Sequence, residues 1–408
     1  MTRVLPAVNP VSVGFGRRFV VAICTGSVLN PINSSIIAVA LVAIGQAFGV
    51  GADRTAWLVS ALYLATAVGQ PTMGKLADRV GPRRVYLAGL ALVAAGGLIG
   101  FLANAFGWVV LARVIIGLGT SAAYPVAITM VRQQSERLHQ SAPGGVLGAL
   151  AVAGQVTMAV GPPLGGLLIA AGGWRSIFLV NIPLALIGAA LALLWLPTDE
   201  KPTVESSAGA LHFVTGLTRM LVGNRALVAT YLRYALTFLV TYSFVYGWTQ
   251  WLEQSAGLSA SAAGLVLMPS FVVAAVVSAI VSRHRAIWLP LLIGAVLLTV
   301  GSAALLMLTT STPVWVFVVI SVIFGVQNAM MVVANQAAMY AQAPAADTGT
   351  AAGLLRTFMY LGAIGAASLI SVTYRDRATD ASLHSLAVVL VGASILVVVM
   401  TVLNSRSR

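Results

Sequence analysis

The sequence predicts an all-α membrane protein: twelve transmembrane helices arranged as two six-helix halves around a central path. Three observations carry this expectation. Apolar stretches of ~20 residues, each long enough as a helix to cross ~30 Å of hydrocarbon, recur along nearly the whole chain. Charged residues make up only 8% of the 408 residues against 59% hydrophobic ones, whereas a soluble domain keeps roughly 25% charged. A single long polar connection divides the stretches six and six. With so little polar surface, only a helix bundle satisfies the backbone inside lipid.

The predicted spans run 19–47, 55–74, 85–104, 107–131, 145–171, 176–196, 226–250, 259–281, 287–309, 314–341, 348–373 and 385–403. Arg17 and Arg18 precede the first, as basic residues precede a signal peptide. Its apolar run continues for about 28 residues, too long for a cleaved segment, so a retained helix is expected. The chain divides into an N-terminal half (1–196), a linker (197–225) and a C-terminal half (226–408). The linker opens with the polar "PTDEKPTVESSAG", which has the composition of a loop. The following "ALHFVTGLTRML" has the apolar face of a helix lying on a membrane surface.

A net charge of +13 could signal nucleic acid. The positions say otherwise: sixteen Lys and Arg fall in the termini and the loops on their side, four on the opposite side and three within spans. That is the positive-inside pattern, and it places both termini in the cytoplasm. Cys24 is the single cysteine, so no intrachain disulfide forms, and it reads as a small packing residue. The four histidines lie in loops and linkers, which supports no metal cluster. No nucleotide-binding loop is present, which argues against an ATP-driven machine. No cofactor, metal or catalytic residue is expected, and no enzyme activity.

The strongest local signal is "GKLADRVGPRR", residues 74–84, between the second and third spans. Gly74 and Gly81 permit close approach or unusual backbone angles. Asp78 supplies a carboxylate, and Arg79, Arg83 and Arg84 hold the turn at the anionic inner leaflet. A merely basic inside loop explains the arginines but not the Asp. This stretch resembles the loop signature of the major facilitator superfamily, Gly-x-Leu-Ala-Asp-Arg-x-Gly followed by basic residues. "LARVIIGLGTSA" in the fourth span resembles the superfamily's Arg-x-x-x-Gly pattern, with Arg113, Gly117 and Thr120 on one face. "GQVTMAVGPPLGG" in the fifth resembles the signature of drug-exporting members. There Gly154, Gly161, Gly165 and Gly166 would admit another helix, and Pro162 and Pro163 would bend the span. The resemblance is clear in the first half. In the second, the corresponding loop is reduced to "SRHRA", without the Asp or the glycines.

The first span carries a polar stripe, "SVLNPINSS", with Ser27, Asn30, Asn33 and Ser34 at helical spacing around Pro31. Polar groups at that depth face a bundle interior or a wet path, although helix–helix hydrogen bonding without transport is the plain alternative. Drug:proton antiporters of this resemblance often hold Asp-x-Thr before a Val-Ala-Leu run. Aligned on Val39–Leu41, those positions are Asn33 and Ser35, so the carboxylate is replaced by an amide. All ten acidic residues fall in loops or at predicted span ends. Should protons nevertheless be the coupling ion, a peripheral carboxylate such as Glu253 or Asp53 is the fallback.

The embedded charges are three arginines: Arg113 in the fourth span, Arg233 in the seventh and Arg356 in the eleventh. Further candidate lining is Tyr124, Tyr234, Thr237 and Thr241, with Asn328 and Asn335 in the tenth span. Any single Tyr or amide is more often plain packing. The resemblance adds that spans one, four, seven and ten line the path. It implies a secondary active exporter of small, fairly hydrophobic compounds, neutral or weakly anionic, working by alternating access and driven by protons. Such a protein would sit as a monomer in a bacterial inner membrane, with a small-molecule substrate and the lipid bilayer as its partners and no nucleic acid. An organic-anion or metabolite transporter and a non-transporting membrane sensor are the alternatives.

Overall fold

The structure is a computed structural model, and it describes residues 15–138, 144–199, 223–283, 286–343 and 348–405. The linker expected at 197–225, with its surface helix, lies mostly outside the described residues, as do residues 284 and 285 of the "SRHRA" loop.

The described residues form helices throughout. They are α1 (17–48, in pieces), α2 (Ala52–Val80), α3 (Pro82–Leu102), α4 (Phe106–Leu138), α5 (Gly144–Gly172) and α6 (Ser176–Trp195) in the first half. The second half holds α7 (Arg225–Gln254), α8 (Ala260–Val281), α9 (Trp288–Met307), α10 (Val314–Gln342), α11 (Thr348–Tyr374) and α12 (Asp380–Ser405). Eleven of these contain a stretch long and apolar enough to cross a membrane. The twelfth predicted span, 55–74, is α2. Its Thr55, Ser60, Thr66, Gln70, Pro71 and Thr72 dilute its hydropathy, and it packs between α4 and α11.

Local chemistry sets the helix ends. Asp53 in the first turn of α2 complements the helix dipole. Asn224 caps α7 by accepting from Leu227 N at 3.0 Å, and Ser259 caps α8 by accepting from Ala262 N at 3.2 Å. α1 is not the continuous span expected. It breaks into Arg17–Ser27, Leu29–Ile36, the tighter turn Ile37–Val39 and Leu41–Phe48. Pro31 has no N–H for the carbonyl of Ser27, and the first break falls at that point. α7 widens into a π-helical turn over Ser243–Trp248, a local rewinding frequent at functional sites.

The loop expected at 75–84 is largely helix: α2 runs on to Val80, and α3 starts at Pro82. Gly81 makes the whole turn, with φ +107°, a region that favours glycine. The carboxylate of Asp199 sits against it and accepts from Arg83 N (2.8 Å) and Arg84 N (3.0 Å), which caps α3. The side chain of Asp78 lies outside the described residues. Gly74 is helical, and a Cβ there would meet Pro125 only at ordinary contact distance.

Two apolar cores result. The smaller belongs to the first half alone and includes Phe19, Tyr86, Val126 and Leu196. The larger joins residues of both halves, among them Ile37, Tyr63, Tyr246, Trp248 and Phe271. The halves therefore merge toward the face opposite the termini. Apolar side chains such as Trp57, Leu64, Leu194 and Val276 point outward, as a lipid-facing surface requires.

Candidate functional site

Between the halves, tyrosines and arginines gather where the polar stripe of α1 meets α2, α4, α7 and α11. Arg113 is 2% exposed. Its Nε donates to the carbonyl of Leu58 on α2 at 2.8 Å, and Nη1 donates to the carbonyl of Asn33 at 3.1 Å. Its Nη2 is buried with no hydrogen-bond partner. Pro31 and the broken winding of α1 shape the stretch whose carbonyls are read in this way.

The same stretch of α1 is held from the other half. Tyr246 on α7 donates its hydroxyl to the carbonyl of Ser34 at 2.9 Å, and that hydroxyl lies 2.9 Å from the hydroxyl of Tyr63 on α2. Tyr242 stacks on Tyr246 with ring centres 5.5 Å apart, and Tyr63 stacks on Tyr360 of α11 at 5.6 Å. Gln70 donates to the Tyr360 hydroxyl at 2.7 Å. One turn before Tyr360, the guanidinium of Arg356 lies 3.7 Å from the ring centre of Tyr124 on α4, a cation–π contact between the halves. An exposed ion pair joins Arg132 and Glu136 on α4. Among the described residues, neither Arg113 nor Arg356 meets a carboxylate.

The polar stripe is distributed differently from the expectation. Asn30 donates to Thr120 of α4 at 3.1 Å, which joins two candidate residues. Asn33 turns away from Arg113: its amide donates to Leu29 O at 2.9 Å and to Asn181 Oδ1 on α6 at 2.6 Å. Only its backbone carbonyl serves the arginine, and no amide–guanidinium pair forms between the two side chains. The Ser34 hydroxyl is buried and unpartnered.

Arg233 belongs to a separate polar knot in the second half. Its Nε donates to Asn335 Oδ1 at 2.8 Å, and its backbone carbonyl accepts from Thr237 at 2.8 Å. Thr241 accepts from Gln327 at 2.9 Å, Asn328 Oδ1 is buried without a partner, and Tyr234 packs edge-on against Phe238 at 4.8 Å. The structure thus brings Asn30 with Thr120, the Asn33 carbonyl with Arg113, and Tyr124 with Arg356, and keeps Arg233 with Asn335.

The fifth-span motif forms the other seam between the halves. A Cβ on Gly166 would strike the backbone of Ser261 on α8, and one on Gly264 would strike the carbonyl of Pro162. Gly161 and Gly165 fit against Ser35, Ile36 and Val39 of α1, while Gly154 is uncrowded. α5 remains helical through Pro162 and Pro163. Toward the face opposite the termini, Asp53 N donates to Arg375 O at 2.9 Å and Ser371 donates to Asp53 O at 3.2 Å.

Sequence reasoning missed Tyr63, Gln70, Tyr360, Asn181 and Asp199. The first two were signalled by Tyr63, Thr66 and Gln70 at helical spacing in α2, and Tyr360 by its place one turn after Arg356. Nothing in the sequence joins Asp199 to Gly81.

The family profile described as the Major Facilitator Superfamily matches residues 23–367. An MFS-type transporter of Bacillus subtilis, YwoD, is 28% identical over 93% of this chain and 96% of its own length. The riboflavin transporter RibZ of Clostridioides difficile is 26% identical over 54% of this chain and 49% of its own length. MdtD of Escherichia coli, named for multidrug resistance, is 30% identical over 44% of this chain and 37% of its own length. Among solved structures, the nucleoside transporter NupG superposes with a TM-score of 0.74 at 13% identity, covering 94% of this chain and 99% of its own. A bacterial homologue of the lysosomal transporter Spinster, in an inward-facing conformation, gives 0.72 at 16% identity, covering 95% of this chain and 96% of its own. With a family match running from the first helix into the eleventh and a fold shared with solved transporters, the chain is a multi-pass membrane protein that belongs to the major facilitator superfamily.

Proposed function

We propose that the protein is a secondary active exporter of small, fairly hydrophobic organic compounds, neutral or weakly anionic, that works by alternating access and draws on the proton gradient. The observation that carries the substrate class is Arg113. It is a buried guanidinium with one nitrogen unpartnered, walled by tyrosines and facing no carboxylate among the described residues. Aromatic walls take up flat apolar bodies. A free guanidinium N–H takes a carbonyl, phenolate or carboxylate oxygen, and an embedded positive charge disfavours cations.

Alternating access is supported by the distribution of contacts. Among the described residues, bonds that join the halves run from mid-membrane to the face opposite the termini, through Arg356–Tyr124, Gln70–Tyr360, Tyr63–Tyr246 and Asp53–Arg375. Together with the basic residues on the terminal side, these bonds support the reading of a state closed to the outside, with both termini in the cytoplasm of a bacterial cell. The export direction rests on the Gly-Pro-Pro seam and on the partial likeness to MdtD.

Inside-out vesicles test the reading. A lipophilic weak acid and a lipophilic cation of similar size are offered with and without an inwardly directed proton gradient in the cellular sense. Gradient-driven accumulation of the acid over the cation is expected. Accumulation of the cation alone would overturn the substrate class, and no accumulation of a broad compound panel would favour a sensor. The unpartnered Nη2 of Arg113 also favours a second reading, an organic-anion transporter, in which the same assay shows saturable uptake of hydrophilic acids.

A further inference from the structure

The face opposite the termini holds a cavity of about 540 Å³ between the halves. Its walls include Gln46 at the end of α1, Thr55 on α2, Gln250 and Glu253 at the end of α7, and Asp376 and Arg377 beyond α11. Glu253 is the one α7 carboxylate on this wall, and its Oε1 is buried without a hydrogen-bond partner. Sequence reading puts Glu253 at a span end; the structure puts it on the unbroken continuation of α7, two turns beyond Tyr246. One turn closer, Gln250 donates to the carbonyl of Tyr246 at 3.1 Å, so the cavity wall and the Tyr63–Tyr246–Ser34 tie share a helix.

Most of the surrounding polar groups are bonded elsewhere. Arg377 donates to Gln254 O at 2.6 Å, and Asp380 accepts from Trp251 Nε1 at 2.9 Å and from Thr310 N at 3.2 Å. Arg54 lies over the Phe106 ring at 5.6 Å. The backbone of Arg375 accepts from Asp53 N, and Asp53 sits in the first turn of α2, where the helix dipole favours its charge. His384 on α12 is bonded to Leu308 O at 2.7 Å. Asp376 lines the cavity beside Arg377. None of these bonds reaches Glu253 Oε1.

An ionised carboxylate with one oxygen buried and unbonded is costlier to wall in than the neutral acid. Opening the halves at this face lets water reach Glu253 and removes that cost. Closing therefore takes up a proton, and the proton comes from the compartment the cavity faces.

We propose that Glu253 is a proton-binding site loaded from the outer side, and that its loading permits the outer vestibule to close. Protonated Glu253 is tolerated between the packed halves; charged Glu253 keeps the vestibule open and hydrated. External acidity thus drives the protein toward the state seen here. The proposal takes its orientation from the proposed function, but its test reads conformation rather than transport.

The experiment uses the full chain in proteoliposomes, with Cys24→Ser as the cysteine-free background. Val42, buried against the vestibule wall, is replaced as Val42→Cys and labelled from outside by an impermeant thiol reagent. Ala105→Cys on the exposed α3–α4 loop normalises for the pH dependence of thiol reactivity itself. Normalised labelling of Val42→Cys is expected to fall as external pH is lowered, by at most about tenfold per unit for one linked proton. Glu253→Gln should label slowly at every pH, and Glu253→Asp should keep a pH dependence with a displaced midpoint. A Glu253→Gln variant that retains the parent profile overturns the proposal. So does a midpoint unmoved in Glu253→Asp, which decides the matter even if the Gln variant fails to reach the membrane. A parent profile that follows external sodium rather than pH makes this a metal-cation site and equally refutes it. Failure of the export reading would appear in the vesicle uptake assay and leave this labelling profile intact.

Discussion

Replacing Tyr246 with Phe removes a single oxygen that holds the two halves together at mid-membrane depth. That oxygen donates to Ser34 O at 2.9 Å and meets the Tyr63 hydroxyl at 2.9 Å. The ring is retained, so the stack on Tyr242, at 5.5 Å and 5° between planes, survives. Each neutral hydrogen bond contributes about 0.5–1.5 kcal/mol net, so the variant should weaken the closed state by about 1–3 kcal/mol. At 1.4 kcal/mol per factor of ten, the closed-to-open ratio should drop roughly 5- to 150-fold. Thiol labelling of Val42→Cys from outside, in the Cys24→Ser background at one fixed pH, reads that ratio directly.

Tyr63→Phe removes only the shared bond, so its effect should be smaller. Because Tyr246→Phe already abolishes that bond, the double variant should label no faster than Tyr246→Phe alone. Additive effects would mean that the two hydroxyls act independently and would refute the tie. Unchanged labelling in Tyr246→Phe would refute the mid-membrane clasp altogether.

Arg113→Ala should impair transport more than Arg233→Ala at equal expression, because Arg113 bonds α1 to α2 through two carbonyls while Arg233 bonds within the second half; vesicle uptake in the reverse order would sink the assignment. Asp199→Ala should cost about 0.5–2 kcal/mol by uncapping α3, measured as thermal unfolding in detergent, with the fold otherwise kept. Gly264→Leu should hold α8 off α5 and raise outside labelling of Val42→Cys, since its Cβ meets the Pro162 carbonyl; normal labelling would show that the seam yields. Asn33→Asp should lose about 1–3 kcal/mol of stability, because a carboxylate cannot donate to Leu29 O and Asn181 Oδ1, and the neutral acid can donate to only one of them. It should not confer pH-dependent export of cations, and uptake of a lipophilic cation with and without a pH gradient checks this.

The span pattern was legible because it rests on a bulk property, the length of apolar runs against the thickness of hydrocarbon. All twelve expected spans have a helix, and the ends differ mainly where polar residues let a helix run on past the lipid: α2 to Val80, α4 to Leu138 and α7 to Gln254. Those overruns explain the misread loop at 75–84 and the underrated Glu253. A hydropathy boundary marks where lipid stops, not where the backbone unwinds.

The site was legible to the extent that spacing along one helix decides a contact. Arg113 was found because charge inside a span is costly and therefore conspicuous. Its partners were not, because backbone carbonyls carry no sequence signal. The Leu58 and Asn33 carbonyls, and that of Ser34 for Tyr246, are offered by the shape of the chain and not by side-chain identity. Asn33 shows the cost of ignoring this. Its amide sits where a carboxylate stands in the proteins the span resembles, so sequence logic treats it as a lost titrating group facing the path. In the structure that amide is spent on joining α1 to Asn181 of α6, within the first half. The residue that faces a cavity between the halves with an unpartnered oxygen is instead Glu253, at the far end of α7. If protons couple this transporter, the carboxylate has moved from the middle of the first half to the outer rim of the second. The tyrosine tie one and two turns away is then the element whose closure it governs.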